Sequence, residues 1–190
     1  HSKKLKVPKV FEVSDDLMYY LQEDLGEAVL FDAISAGRDT GVFSREEKEL
    51  LHKTISALAD FQVEGANGLD FNVCYPQPEF NERSVHWDLN YFKYSFLKTT
   101  GLDFQEDLLE DDFERLTQRL LENRTDTFLF RDFQSRNVML VNDNPYFIDF
   151  QGGRRGPIHY DVASFLWQAK ANFPDDLRKE LLGTYMTSLS

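Results

Sequence analysis

Leu51, Ile55, Leu58 and Phe61 recur at the spacing that gathers apolar side chains on one face of a helix. Immediately before them stands Ser44-Arg45-Glu46-Glu47. A serine and a glutamate so placed can each accept from the other's unpaired backbone N–H, so a helix is predicted over Arg45–Gln62. Trp87, Tyr91, Tyr94 and Leu97 space a second helix ending near Gly101. A third, over Asp103–Asn123, carries Leu108, Leu109, Phe113, Leu116 and Leu120, with Asp103 and Glu106 as its expected cap. Shorter helices are predicted at Val29–Ile34, at Asp161–Ala171 (stopped before Pro174) and from Asp175 to Ser190.

Other stretches read as strands. Lys9–Val13 and Leu17–Leu21 flank Ser14-Asp15-Asp16, whose short polar side chains favour a turn. They predict a β-hairpin running into the polar connector Gln22–Gly26. Phe128–Phe130 is a short apolar strand. Val138–Val141 and Tyr146–Phe150 flank Asn142-Asp143-Asn144-Pro145 and predict a second hairpin. Ala36–Gly41, Gly65–Gln77 and the Gly- and Arg-rich Gln151–Pro157 read as loops. The expected architecture is a small hairpin, a connector and a mostly helical domain with a β insert.

Composition narrows the classes. With 17 Phe, 8 Tyr and 2 Trp in 190 residues, the chain has too much large apolar surface to stay unfolded. No apolar run nears the roughly 20 residues of a membrane helix. There are 33 acidic against 21 basic side chains, a net charge of −12. That excludes a broad nucleic-acid surface, which needs a basic stripe to neutralise phosphates. Solvated acidic faces or a cationic ligand both fit it. Cys74, in a Tyr-Pro-Gln-Pro context, is the one cysteine and reads as a packed residue. A single thiol and a charged start without an apolar stretch behind it lead to the expectation of a cytoplasmic setting. His52 and His159 have no second ligand at metal spacing, so a transition-metal site is not expected.

Chemistry concentrates between Phe130 and Asp161. Arg131-Asp132 is followed at the fifth position by Asn137, then an apolar strand, a turn and a strand ending in Phe147-Ile148-Asp149-Phe150. This is the order that phosphoryl transfer from a nucleotide requires. A loop carboxylate, Asp132, can take the proton of an acceptor hydroxyl. Asn137 and Asp149, brought together by the hairpin, offer hard oxygens that suit Mg²⁺. Arg131 and Arg136 flank the catalytic carboxylate. Arg131 can form a salt bridge, while Arg136 can serve structure or dock a substrate or phosphate. Arg154 and Arg155 read either as a solvated pair or as a dock for a phosphate or an anionic sugar group. His86 and Trp87 are expected as core or cap residues, and Tyr91, Phe92 and Tyr94 as a core stripe that could alternatively stack a sugar.

Asp132 to Asn137, Ile148-Asp149-Phe150 and Gly156-Pro157-Ile158-His159-Tyr160-Asp161-Val162-Ala163 resemble the catalytic core of the kinase-like small-molecule phosphotransferases, the aminoglycoside phosphotransferase and choline kinase superfamily. Within it, Arg131 to Asn137 and Ile148 to Gln151 are most similar to the bacterial anomeric sugar kinases that act on N-acetylmuramate and N-acetylglucosamine. The resemblance implies an α+β protein-kinase-like fold, with residues 1–25 the end of the N-lobe and the hinge, and 26–190 a C-lobe that could be truncated at its C-terminus. It implies ATP and Mg²⁺ as cofactors, a small-molecule acceptor, and neither a nucleic acid nor a membrane as partner. Adenine would bond the hinge backbone near Glu23 and Leu25. Asp161 matches a carboxylate that braces the catalytic loop, although a plain helix cap fits it equally.

Two features depart from that family. Phe130 stands where its catalytic loop has histidine, and an aromatic there is expected to keep the packing. No Gly-rich loop or strand lysine precedes the connector, since Lys3, Lys4, Lys6 and Lys9 lie just before or at the first hairpin. The 190 residues are therefore expected to fold yet to be nearly inactive alone. The rival readings are a kinase for a cationic acceptor such as an aminoglycoside or choline, a protein kinase, disfavoured by Gln151 after Asp149-Phe150, and a non-catalytic pseudokinase module.

Overall fold

The computed structural model describes residues 3–122 and 125–190. Strands β1 (Val10–Val13) and β2 (Tyr20–Gln22) form an exposed antiparallel hairpin. Helices α1 (Leu30–Ala33) and α2 (Ser35–Thr40) come next, then the long α3 (Arg45–Ala66). After it stand α4 (Glu82–Ser95) and α5 (Glu106–Leu121). Strand β3 (Thr127–Leu129) pairs antiparallel with β6 (Arg154–Gly156), and β4 (Val138–Val141) with β5 (Asn144–Phe147). Helices α6 (His159–Leu166) and α7 (Asp175–Ser188) complete the order. Among the described residues no helix is long and apolar enough to cross a membrane.

Helix α3 is the hub. Ser44 and Glu47 form the reciprocal cap: Glu47 N–H donates to the Ser44 hydroxyl at 3.2 Å, and Ser44 N–H to Glu47 Oε2 at 2.8 Å. Leu51, Ile55, Leu58 and Ala59 are buried. Beyond them Phe61 meets the rings of Phe128, Phe130 and Phe147 with centroids 5.3–5.9 Å apart. The aromatic chain continues through Phe133 to Phe165 (5.3 Å), Phe173 (5.7 Å) and Phe43 (5.4 Å). Edge-to-face and tilted contacts of this kind add to simple burial. They tie α3, β3, the loop after β3, the β4–β5 hairpin and α6 into one core.

Several boundaries differ from the sequence expectation, each for a local reason. Leu17 belongs to the turn and has φ +59°: Ser14 Oγ bonds Tyr19, and Met18 N–H donates to Asp16, which lengthens the turn and shortens the strand. Ala36–Gly41 is largely helix α2, because Gly41 closes it in the left-handed conformation and Glu47 accepts from Gly37 N–H. Gln151–Pro157 contains β6, whose pairing with β3 overrides its loop-like composition. Helix α4 follows its cap Asn81, whose side chain accepts from Ser84 N–H, and ends at Ser95, after which a 3-10 turn over Leu97–Thr100 carries the chain to Gly101 in the left-handed conformation. Asp103 does not cap α5. The Glu106 carboxylate is taken by Lys93 at 2.5 Å and Lys98 at 2.7 Å. The expected end of that helix at Asn123 lies outside the described residues. Leu108, Leu116, Trp87, Tyr91, Phe92 and Tyr94 are exposed, so the expected apolar stripes on α4 and α5 are only partly core. What α4 buries instead includes Lys93, its ammonium clamped by Glu106 and Glu110.

The joint between α6 and the end of β3 is where the core hands over to the polar loop. Asp161, fully buried near the start of α6, accepts from Phe130 N–H at 2.7 Å, Arg131 N–H at 3.0 Å and Gln62 Nε2 at 3.1 Å. Burial pushes its carboxyl up to about 6 from an ordinary 3.8, although these donors favour the charged form. Gln62 is itself fixed by Ile158 O and by the Tyr185 hydroxyl of α7.

Between pH 4 and 6 the folded protein holds the Asp161 proton more tightly than the unfolded chain. That stability term is complete below about pH 4 and lost as pH rises through about 6. The stability of the wild type relative to Asp161→Asn should therefore rise by on the order of 2–3 kcal/mol as pH falls from 6 to 4. Urea melts of both proteins across that range measure it, and a pH-independent gap contradicts it. At Gly153 an added Cβ would lie 2.2 Å from the Phe128 ring and 2.9 Å from Phe150 O. Gly153→Ala should cost about 1–3 kcal/mol of unfolding free energy, read from the same melts.

Candidate active site

The loop from Arg131 to Asn137 leaves the core at Phe130, which is wholly buried. Arg131 has φ +86°, a conformation held by its neighbours and not by local preference. Its backbone N–H is bound by Asp161. Its guanidinium forks onto Asp88 of α4, with Nη1–Oδ2 and Nη2–Oδ1 both 2.7 Å, and donates to the Tyr160 hydroxyl at 2.9 Å. The rings of Phe80 and Tyr160 flank it at 5.0 and 5.4 Å. Hydrogen bonding to Asp88 raises the Arg131 pKa against the opposing effect of burial. Burial pushes the Tyr160 phenol up to about 12, so it remains a neutral donor.

Past Arg131 the loop alternates: Phe133, Ser135 and Asn137 turn inward, while the polar Asp132, Gln134 and Arg136 stay partly or wholly exposed. Asp132 is half-buried. Its carboxylate accepts from Gln134 Nε2 at 2.5 Å and meets the Arg136 guanidinium at 3.5 Å. Asn137 is buried and donates from Nδ2 to Asp132 O at 2.8 Å, a bond that closes the loop on itself. Because Nδ2 is so engaged, Asn137 Oδ1 is turned away as an acceptor. Ser135 is fixed to the segment after α6, since both its N–H and its hydroxyl bond Gln168 Oε1.

The β4–β5 hairpin returns the chain to this loop. Its two-residue turn, Asn142-Asp143, has φ +50° and +57°, values these residues tolerate and tight hairpins need. The expected second strand starts earlier than its sequence suggests, at Asn144, and ends at Phe147. Ile148 N–H then donates to Asn137 O at 3.1 Å, which seats Asp149 beside Asn137. Asp149 has φ +66°, is exposed, and accepts from Gln151 Nε2 through Oδ1 at 2.8 Å. Asn137, Asp149, Val10, Val13, Tyr20 and Gln22 all line one cleft of about 630 Å³. A smaller recess of about 350 Å³ adjoins it, lined by Glu23, Leu25 and Met139 and sharing Pro8, Gln22 and Ile148 with the first.

Glu23 N–H donates to Lys9 O at 2.7 Å, and the Glu23 carboxylate accepts from Lys9 N–H at 3.1 Å. The Glu23 carbonyl and the Leu25 N–H take no part in that pairing and lie along the recess. One acceptor and one donor two residues apart match the edge of a purine amidine. For a divalent cation, Asn137 Oδ1 and the Asp149 carboxylate are hard oxygen donors on two residues that line one cleft. Among the described residues no three His, Cys, Asp or Glu side chains converge, so phosphate and water oxygens would complete a magnesium shell.

Arg154 is buried, not solvated. Its Nε donates to Gly152 O at 3.0 Å, and burial with the nearby charge of Arg131 holds its pKa below the usual arginine range. Arg155 is the exposed member and pairs with Glu79 at 2.8 Å. Asp88, Gln62, Tyr160 and Gln168 are the residues that sequence patterns do not reveal. Each acts from another element, and only the polar residue inside an apolar helical face, as at Gln62, could have signalled it.

Known proteins resemble this chain in sequence and fold. Over 185 residues the chain is 27% identical to an N-acetylmuramate/N-acetylglucosamine kinase of Neisseria meningitidis, covering 95% of this chain and 52% of that protein. It spans about half the length of the curated relatives it matches. Among solved structures it resembles a gentamicin complex of the aminoglycoside phosphotransferase APH(2")-IIa, with a TM-score of 0.64 at 18% identity, over 98% of this chain and 62% of that one. It also resembles choline kinase from Cryptosporidium parvum, with a TM-score of 0.61 at 10% identity, over 97% and 57%. The fold is thus protein-kinase-like and α+β. A model of the phosphotransferase enzyme family matches residues 1–189, and the chain belongs to that family.

Proposed function

We propose that the chain carries the catalytic half of an ATP-dependent kinase that phosphorylates a hydroxyl of an N-acetylated amino sugar. The observation that carries the reading is the joining of Asp132 to Asn137 by a 2.8 Å bond, with Asn137 and Asp149 facing one cleft beside the connector. The family match supports phosphoryl transfer, and the curated relatives' names support an amino-sugar acceptor. In this reading residues 1–25 are the end of an N-lobe with its hinge, and 26–190 are a C-lobe.

Adenine lies in the recess at the connector, bonded by Glu23 O and Leu25 N–H. Its triphosphate points towards Asn137 and Asp149. Magnesium held by those two side chains would neutralise charge on the phosphates. Asp132 orients the acceptor hydroxyl. As the hydroxyl oxygen bonds the γ-phosphorus, the bond from that phosphorus to the bridging oxygen of ADP breaks, and the hydroxyl proton passes to Asp132. Gln134 and Arg136 hold the Asp132 carboxylate in place, and Asp161 and Asp88 hold the loop behind it. Positioning and charge are most of what this chemistry demands.

Asp132→Asn in the full-length protein should lower kcat by about 10²–10⁴ with little change in nucleotide affinity. Steady-state assays on N-acetylglucosamine and N-acetylmuramate, with a nucleotide titration, measure both. Full activity would mean another group orients the hydroxyl. Asp149→Ala should abolish the part of ATP affinity that depends on magnesium, read by calorimetry with and without the ion. Unchanged affinity together with unchanged turnover removes Asp149 from the metal site.

A further inference from the structure

Two clefts open on the loop that carries Asp132. One is the 630 Å³ cleft on the Asn137 side. The other, of about 600 Å³, opens between the catalytic loop, the start of α1 and the end of α6, and shares no lining residue with the first. Phe31, Gln134, Arg136, Trp167, Gln168 and Lys170 line it. Gln134 and Arg136 line it and both contact the Asp132 carboxylate, so the cleft adjoins the proposed base.

Its charge is opposite to that of the molecule. The chain carries −12 overall. Yet among the described residues lining this cleft there are two cations and no carboxylate. Asp132 is the acidic group that meets Arg136, at the long distance of 3.5 Å. Lys170 is exposed, and its position is built from behind. Arg38 stacks on the Phe31 ring at 3.5 Å, donates to Phe31 O at 3.0 Å and donates to Lys170 O at 3.2 Å. Asn172 Nδ2 in turn donates to Arg38 O at 2.8 Å. Gln168 ties the same segment to Ser135 of the loop. Trp167 presents an exposed ring on the cleft, as aromatic walls of polar-ligand sites do.

We propose that this cleft is the acceptor subsite for an acidic sugar, with Arg136 and Lys170 receiving a carboxylate substituent and the Trp167 ring supporting the sugar. It rests on the amino-sugar reading and deepens it. A quaternary or polyammonium acceptor would meet two like charges there, whereas a carboxylate gains charge-assisted bonds. The acceptor hydroxyl then lies towards Asp132 and the carboxylate away from it, so Lys170 selects the acceptor without taking part in the transfer.

The test compares N-acetylmuramate, which bears a carboxylate, with neutral N-acetylglucosamine, in wild type, Lys170→Gln and Lys170→Arg of the full-length protein. Lys170→Gln should raise KM for the acidic sugar on the order of tenfold, leave its kcat unchanged and move KM for the neutral sugar less than about twofold. Lys170→Arg should restore most of the loss. Equal shifts for both sugars, or none for either, overturn the subsite while leaving the amino-sugar reading intact. Absence of transfer to either sugar by the wild type overturns that reading and the subsite with it.

Discussion

A buried carboxylate with three donors organises this molecule. Asp161 has no solvent to ionise into, and burial alone raises its pKa. The N–H groups of Phe130 and Arg131 offset much of that cost, and in doing so they become fixed points. They are also the last two residues before Asp132. Arg131 holds a left-handed φ there because its backbone is bound by Asp161 and its side chain by Asp88. The third donor, Gln62, brings in α3, and Tyr185 behind it brings in α7. One side chain thus connects three helices to the single loop on which the proposed chemistry depends.

The other half of the loop's support is apolar. Phe130 is wholly buried, and its ring sits among Phe61, Phe133, Phe147 and Phe150. A ring in that position needs no hydrogen-bond partner, because the aromatic chain from Phe43 to Phe128 encloses it. The loop is therefore gripped on one face by packing and on the other by Asp161. Its polar residues Asp132, Gln134 and Arg136 are left partly or wholly exposed, with Gln134 and Arg136 lining the cleft beside α1 and α6. Rigid support behind and adaptable polar groups in front is the arrangement that a positioning catalyst needs.

Much of this is legible in the sequence where the signal is local. The Ser44–Glu47 cap, the face of α3 and the order Asp132, Asn137, Asp149 are patterns within one stretch of chain. The misread parts are set by distant partners. Strand β6 looks like a glycine loop because its pairing with β3 lies far along the chain. The cap expected from Glu106 fails because Lys93 and Lys98, from the preceding helix and turn, claim that carboxylate. Asp88 is one acid among many in an acidic chain, and nothing local distinguishes it from a solvated one. The same holds for Lys170, whose meaning comes from Arg136 across the cleft.

Asp161 pins the backbone leading into the catalytic loop, and amide hydrogen exchange reads this directly. The Phe130 and Arg131 N–H groups should exchange as slowly as the core of α3, opening only with global unfolding. Their protection should fall to that of the neighbouring exposed loop in Asp161→Ala, while Leu51 and Ile55 remain protected. Rapid exchange at Phe130 and Arg131 in the wild type would contradict the account.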